Sequence, residues 1–174
     1  MMKKSNTYLL SSVIAFIILA VFIIKMDFNA TNNHETELDT KIQEINAYIK
    51  DVFSFADIPD NLIPSTFPEG FSIVNKKHFE DDMDIIATIY LEKNDTDEYI
   101  TYRVYYHLAN DSVSHYEKDE TDVTIIELDN INYYIFNNLD SSVLIWRNGS
   151  FETMIDSTLS ESELVQIIYS IPSA

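Results

Sequence analysis

Apolar residues recur along this chain at two different periods. Between positions 38 and 56 they follow 4-3-4-3-4 spacing, which predicts an amphipathic helix over residues 37–56. Thr36 followed by Asp39 resembles an N-terminal cap for this helix. The stripe also fits a coiled-coil seam, but it lasts for fewer than three heptads. We therefore expect the helix to pack against its own domain rather than to dimerise.

A proline-rich connector, DIPDNLIPSTFPEG, follows over residues 57–70. It holds Pro59, Pro64 and Pro68, all but one of the prolines in the chain. Each proline fixes φ and lacks an amide donor, so an α-helix cannot pass through this stretch.

After Gly70 the period changes to two, which predicts about seven or eight short strands. Because no helix separates them, they indicate antiparallel pairing, and Asn148-Gly149 is the strongest hairpin signal. The predicted strands are Phe71–Phe79, Ile85–Leu91, Ile100–Leu108, Val113–Glu117, Val123–Leu128, Ile131–Phe136, Val143–Arg147 and Phe151–Ile155.

The chain ends in a second predicted helix. Ser160 and Glu163 form a capping box, an apolar face follows, and Pro172 ends the helix. The predicted fold is therefore α+β: an antiparallel sheet with a C-terminal helix and a preceding amphipathic helix, its domain extending over residues 57–174.

One uncharged segment, Tyr8–Ile24, lies between Lys3-Lys4 and Lys25. Its 17 residues span about 26 Å as a helix, and we predict a transmembrane anchor over residues 8–26. The chain has no cysteine, which excludes lipoprotein processing. No small-x-small cleavage pattern follows the segment, so a retained anchor is favoured over a cleaved signal peptide.

The positive-inside rule orients this anchor. The two lysines before it predict a cytoplasmic tail over residues 1–7, a tether over 27–36 and an extracytoplasmic domain, that is, a single-pass cell-membrane protein. Beyond the anchor, 29 acidic residues face eight basic ones, a formal charge of −21. This charge argues against a nucleic-acid partner and is most simply explained by solubility, with a cationic partner or loosely bound metal ions as the alternative.

Two stretches carry a resemblance to a known family. One is the connector from Leu62-Ile63-Pro64 to Phe67-Pro68-Glu69-Gly70-Phe71, and the other is the closing section INYYIFNN, VLIWRNGSFETMI and LSESELVQIIYSI. Over residues 62–172 the chain resembles the bacterial extracytoplasmic domain of unknown function numbered four-three-six-seven.

The resemblance implies a Gram-positive envelope protein, because this domain is often found behind a transmembrane helix in proteins associated with sigma and anti-sigma factors. It supplies no catalytic residue. About seven residues precede the anchor here, too few for a module that holds a sigma factor. We therefore expect the outer half of such a protein, standing alone.

Candidate chemistry in the sequence is sparse. The four histidines show no metal-ligand spacing, and His107 shares a strand face with Arg103 and Tyr105, which predicts a solvated face. The acidic residues of 80–84 and 94–98 offer oxygens to calcium but lack the glycine of a calcium loop. No nucleophile motif is present, so we expect no catalysis, no cofactor and no metal.

The aromatic residues are the one candidate for recognition. Five of them suit a partner-binding surface, although cross-strand pairing within the sheet explains them more simply: Tyr99, Tyr105, Tyr133, Tyr134 and Trp146. The sequence thus predicts a membrane-anchored domain that binds or senses another envelope or membrane protein. A structural stalk or spacer is the alternative, and a cell-wall hydrolase is a distant third.

Overall fold

The computed structural model describes residues 39–108 and 123–173. The chain divides into two compact units, 1–40 and 41–174, and the second contains nearly all of the described residues. The predicted anchor Tyr8–Ile24, the tether 27–36 and the strand Val113–Glu117 lie outside them. In the part of the chain that is described, no helix is both long and apolar enough to cross a membrane.

The domain is built on one seven-stranded antiparallel sheet with the order β1-β2-β3-β7-β6-β5-β4. Seven of the eight predicted strands are present, since Val113–Glu117 lies outside the described residues. Hairpins link strands that are consecutive in sequence except β3 and β4, and β4 lies at the far edge of the sheet. The strands are β1 (Phe71–Glu80), β2 (Asp84–Lys93), β3 (Tyr99–His107), β4 (Thr124–Leu128), β5 (Ile131–Asn138), β6 (Ser141–Asn148) and β7 (Phe151–Ser157).

Two helices cover one face of this sheet, which we call the helix face. Helix α1 covers 39–52 of the described chain, and α2 is Glu161–Ser170. The predicted helix over 37–56 is too long at its C-terminal end, because residues 53–56 form turns ahead of Pro59. The predicted capping box is confirmed: the Ser160 side chain accepts from the Glu163 amide, and the Glu163 carboxylate accepts from the Ser160 amide.

The main core lies between the helices and the helix face. Ile45, Ile49 and Phe53 are fully buried there, so the apolar stripe of α1 packs against its own domain as predicted. Trp146 and Tyr102 are the largest fully buried side chains of the sheet. Burial of this kind is worth about 1.5–3 kcal/mol for each large apolar side chain.

Buried hydrogen bonds fasten the connector to this core. The Tyr102 hydroxyl donates to the Leu62 carbonyl at 2.6 Å, and the Trp146 indole donates to the Asn61 carbonyl at 3.1 Å. The Asn148 amide donates to the Asn61 side-chain oxygen at 2.8 Å. A three-residue 3₁₀ turn, Asp60–Leu62, presents these acceptors, so the connector is held as part of the domain.

The sheet differs from the predicted pattern in two details. A β-bulge between Ile73 and Asn75 moves the later residues of β1 to the opposite face, so alternation along β1 is not continuous. The β6–β7 hairpin is confirmed, but its two turn residues are Gly149 and Ser150. Gly149 has φ 60°, and the first turn position is where type II′ hairpins place glycine.

Candidate functional site

Several chain segments meet at one end of the sheet, which we call the hairpin end. It consists of the β1–β2 turn at 81–83, the end of β3 with Leu108, the β6–β7 turn, and residues 55–60, which link the end of α1 to the connector. Backbone bonds join them: the Leu108 amide donates to the Met83 carbonyl, and the His107 amide donates to the Ser150 carbonyl, both at 2.9 Å.

A cavity of about 260 Å³ opens at the hairpin end. The connector forms one wall, the β6–β7 turn forms another, and Tyr106 lies between them. Its lining is Ala56, Asp57, Pro59, Tyr106, Asn148, Gly149, Ser150 and Phe151. The floor is aromatic because Tyr106 and Phe151 pack edge to face with their ring centroids 4.9 Å apart.

Exposed apolar side chains lie on the segments of the hairpin end. In the described residues nine large apolar side chains are strongly exposed, and three of them belong to the hairpin end: Phe55 (57%), Met83 (53%) and Leu108 (48%). Phe79 (57%) lies beside the β1–β2 turn but on the other face of the sheet, opposite Ile86. The Phe55 ring stands edge-on to Tyr106 at 5.2 Å, so it is held in place although more than half of it is exposed. A concentration of this kind is typical of interaction surfaces.

Local hydrogen bonds fix the conformation of the Met83 turn. One carboxylate oxygen of Asp81 accepts from the Met83 amide at 2.8 Å and from the Asp84 amide at 2.9 Å. A side chain that satisfies two successive amides in this way closes a turn of defined shape. The exposed Met83 is therefore presented on an ordered turn.

A buried hydrogen-bonding contact lies behind the turn. His107 Nδ1 and Asp84 Oδ1 are 2.6 Å apart, and both side chains are at most 3% exposed. The prediction that His107 lies on a solvated face is wrong. It lies on the same side of β3 as Tyr105, as predicted, but the register of β2 and β3 sets it opposite Asp84 in the domain interior.

The charge of the hairpin end is negative. Exposed carboxylates lie on its turns and strand ends, and they outnumber the exposed basic residues nearby, Lys77 and Arg147. The carboxylates are Asp57, Asp60, Glu80, Asp81 and Asp82. The surface therefore combines apolar anchors with an acidic rim.

The structure does not bring the five predicted aromatic residues together on one surface. Tyr133 and Trp146 form a cross-strand pair in the main core, 2% and 0% exposed. Tyr105 is buried on the other face of the sheet, where burial raises the pKa of its phenol. Tyr134 is 39% exposed near the β4 edge, and the Tyr99 hydroxyl bonds to Asp156 at 3.2 Å.

The sequence reasoning missed Phe55, Met83 and Leu108. Leu108 stands in a predicted strand as an ordinary alternating residue, and Phe55 stands in a predicted helix. Their grouping depends on turns that join segments distant in sequence. The one signal that could have found them is a large apolar residue at each predicted element end.

A second cavity, of about 330 Å³, lies between the connector and α2. It is lined by Thr66, Phe67, Pro68, Glu69, Glu163, Gln166 and Ile167. Within the described residues no group of three or more histidine or acidic side chains could hold a metal ion. The acidic residues of 80–84 instead close the β1–β2 turn and pair with His107.

The sheet, the one-sided pair of helices and the apolar hairpin end define a two-layer α+β domain. The chain belongs to the family described as Domain of unknown function (DUF4367), which matches residues 61–171, well over half of its length. The expected family membership is thereby confirmed, with its boundaries shifted by one residue. No curated protein and no solved structure matches the chain significantly.

Proposed function

We propose that the protein is a single-pass membrane protein whose extracytoplasmic domain binds another envelope or membrane protein through the hairpin end, without catalysis. The observation that carries the proposal is that Phe55, Met83 and Leu108 are strongly exposed at the end of the sheet where an aromatic-floored cavity opens. Aromatic and methionine side chains are enriched at the centres of protein interfaces. Ordered aromatic residues also lose little conformational entropy on binding.

The chemistry of the hairpin end specifies the partner. An apolar centre with an acidic rim fits a surface that has an aliphatic or aromatic anchor flanked by lysine or arginine. Such an interaction weakens as salt rises, because the rim charges are exposed and screened. The domain as a whole also carries a strong negative charge. Its long-range field therefore favours encounters with cationic partners, as the acidic rim does at short range.

Binding is tested with the soluble fragment 31–174 immobilised against solubilised envelope proteins. We expect a saturable partner whose capture falls about tenfold, or about 1.4 kcal/mol, with Phe55→Ser or Met83→Ser. The matched control is Tyr169→Ser on α2, because Tyr169 is 68% exposed and lies outside the hairpin end. Equal loss in all three variants would contradict the assignment of the surface, and the absence of any partner would favour the stalk or spacer.

The membrane part of the proposal rests on Tyr8–Ile24, which is uncharged and flanked by lysines. We expect the mature protein to keep this segment and the domain to be open to protease added outside intact cells. Intact-mass measurement checks the first point, and a mature chain starting near Thr31 would contradict a retained anchor.

A further inference from the structure

The face of the sheet opposite the helices, the second face, carries its own apolar patch. The patch consists of Tyr105, Phe136, Val143, Ile145 and Met154. Val143 is fully buried and Met154 is 3% exposed. No residue of α1 or α2 belongs to this cluster, because both helices pack on the helix face. The cover of the patch therefore has to come from outside the described helices.

The strand order requires the chain to cross the sheet between β3 and β4. Four antiparallel pairings separate these strands, so they run parallel, and β4 begins level with Tyr102 while β3 ends at His107. The connection therefore has to run back along the strand direction by the length of five residues, about 17 Å, and across the sheet by four strand spacings, about 19 Å. The intervening 14 residues, 109–122, reach at most about 46 Å when extended, which is enough.

Handedness selects the face on which this crossing runs. The His107 amide bonds to Ser150 and the Tyr99 carbonyl accepts from Thr158, so β3 residues with side chains on the second face bond towards β7. When the second face is viewed with β3 running upward, an L-residue whose side chain points at the viewer directs its amide and carbonyl to the right. Strands β7 and β4 therefore lie to the right of β3. A crossing over the second face is then right-handed, as are about 98% of connections between parallel strands.

The C-terminal end of the crossing also lies on the second face. Val123, the first described residue after the gap, packs against the patch. The patch residues lie on β3, where the connection starts, and on β7, β6 and β5, the three strands that it has to pass before it reaches β4. The helix face offers no such route, because α1 and α2 already occupy it.

We propose that the apolar patch on the second face is the docking site of residues 109–122 of the same chain. The large apolar residues available for this contact in the segment are Val113 and Tyr116. When residues 109–122 cover the second face, the hairpin end remains the surface for another protein. The two proposals rest on different residues. The second face is then not a site for a second copy or a partner protein.

Methionine oxidation in the full chain tests the docking. Met83, at 53% exposure, is an internal reference for Met154 at 3%. With hydrogen peroxide and peptide mass spectrometry we expect Met154 to oxidise at least about tenfold more slowly than Met83, because exposure governs the reaction. Replacing residues 109–122 by a glycine–serine segment of equal length should bring Met154 close to the Met83 rate. Protection of Met154 that survives the replacement, or that depends on protein concentration, would overturn the proposal.

Paired cysteines give a second test at native chain length, since the protein has no cysteine of its own. Tyr116→Cys is combined with Ile145→Cys on the second face or with Ile131→Cys on the helix face. We expect a short bis-maleimide to link the first pair within one chain and to leave the second unlinked, as read by intact mass. Linkage of the Ile131 pair alone would show that the crossing runs over the other face.

Discussion

The two faces of the sheet are both buried, but by different means. The helix face presents an almost wholly apolar surface to α1 and α2, with Trp146 and Tyr102 at its centre. The second face combines five apolar residues with buried polar groups, among them Asp84, His107 and Glu152. Apolar burial stabilises in proportion to area, whereas a buried polar group stabilises only while its partner is present. On the helix face, stability should therefore fall most when a substitution removes side-chain volume. On the second face, it should fall most when a substitution removes a hydrogen-bond partner.

The largest effect is expected at the centre of the helix face. Trp146→Ala removes the most voluminous fully buried side chain and leaves the Asn61 carbonyl without its indole donor. We expect a loss of about 3–5 kcal/mol in the free energy of unfolding. Urea denaturation of the 31–174 fragment followed by far-UV circular dichroism measures it. Trp146→Phe, which keeps a ring, is the control, and equal losses for both variants would place the stabilisation in the hydrogen bond rather than the volume.

On the second face, His107→Ala removes one partner of a buried pair. We expect a loss of about 3 kcal/mol, because the Asp84 carboxylate is left at 3% exposure without His107. In the same urea assay, the double variant with Asp84→Ala should lose less than the sum of the two single variants. Additive losses would mean that the two side chains do not stabilise each other.

Leu144 and Ile145 compare the faces directly, since they are adjacent in β6 and point to opposite sides. Leu144 is fully buried in the main core, and Ile145 is 9% exposed in the patch. Leu144→Ala should cost about 1–2 kcal/mol more than Ile145→Ala, because its surroundings are more completely packed. Matched denaturation curves measure the difference, and a larger loss at Ile145 would reverse the comparison.

The smallest effect concerns the start of α2 on the helix face. Ser160→Ala should cost about 1 kcal/mol, since it removes the acceptor for the Glu163 amide. Hydrogen bonds from the Ser160 side chain and backbone hold the pKa of Glu163 below its usual value. Stability from this carboxylate is therefore present above its ordinary pKa and is lost as pH falls through the lowered value. The Ser160→Ala deficit should shrink in acid, and a deficit independent of pH would contradict the capping box as its source.

Much of the sheet could be predicted from the sequence because alternation is a local signal. Seven predicted strands appear in the described chain, and the capping box of α2 is present in detail. The faces of β3 were also predicted correctly. What alternation does not specify is which face a helix covers, so Trp146 was placed among surface candidates although it lies in the core.

The pair Asp84–His107 and the hairpin end could not be predicted for a related reason. Asp84 and His107 lie 23 positions apart and meet only through the register of β2 and β3. Phe55 and Met83 join one surface only because the connector and the β1–β2 turn reach the same end of the sheet. A single sequence contains neither the register nor the packing of turns.

A contact near the second cavity ties the connector to the end of α2. Ser65, in the middle of the connector, donates from its amide and its hydroxyl to the carbonyl of Ser170, the last residue of α2, at 3.0 and 2.6 Å. The family match begins and ends close to these two serines, so the two ends of the matched stretch are held side by side. Fraying of the last turn of α2 would therefore release the connector as well, because each segment is the hydrogen-bond partner of the other.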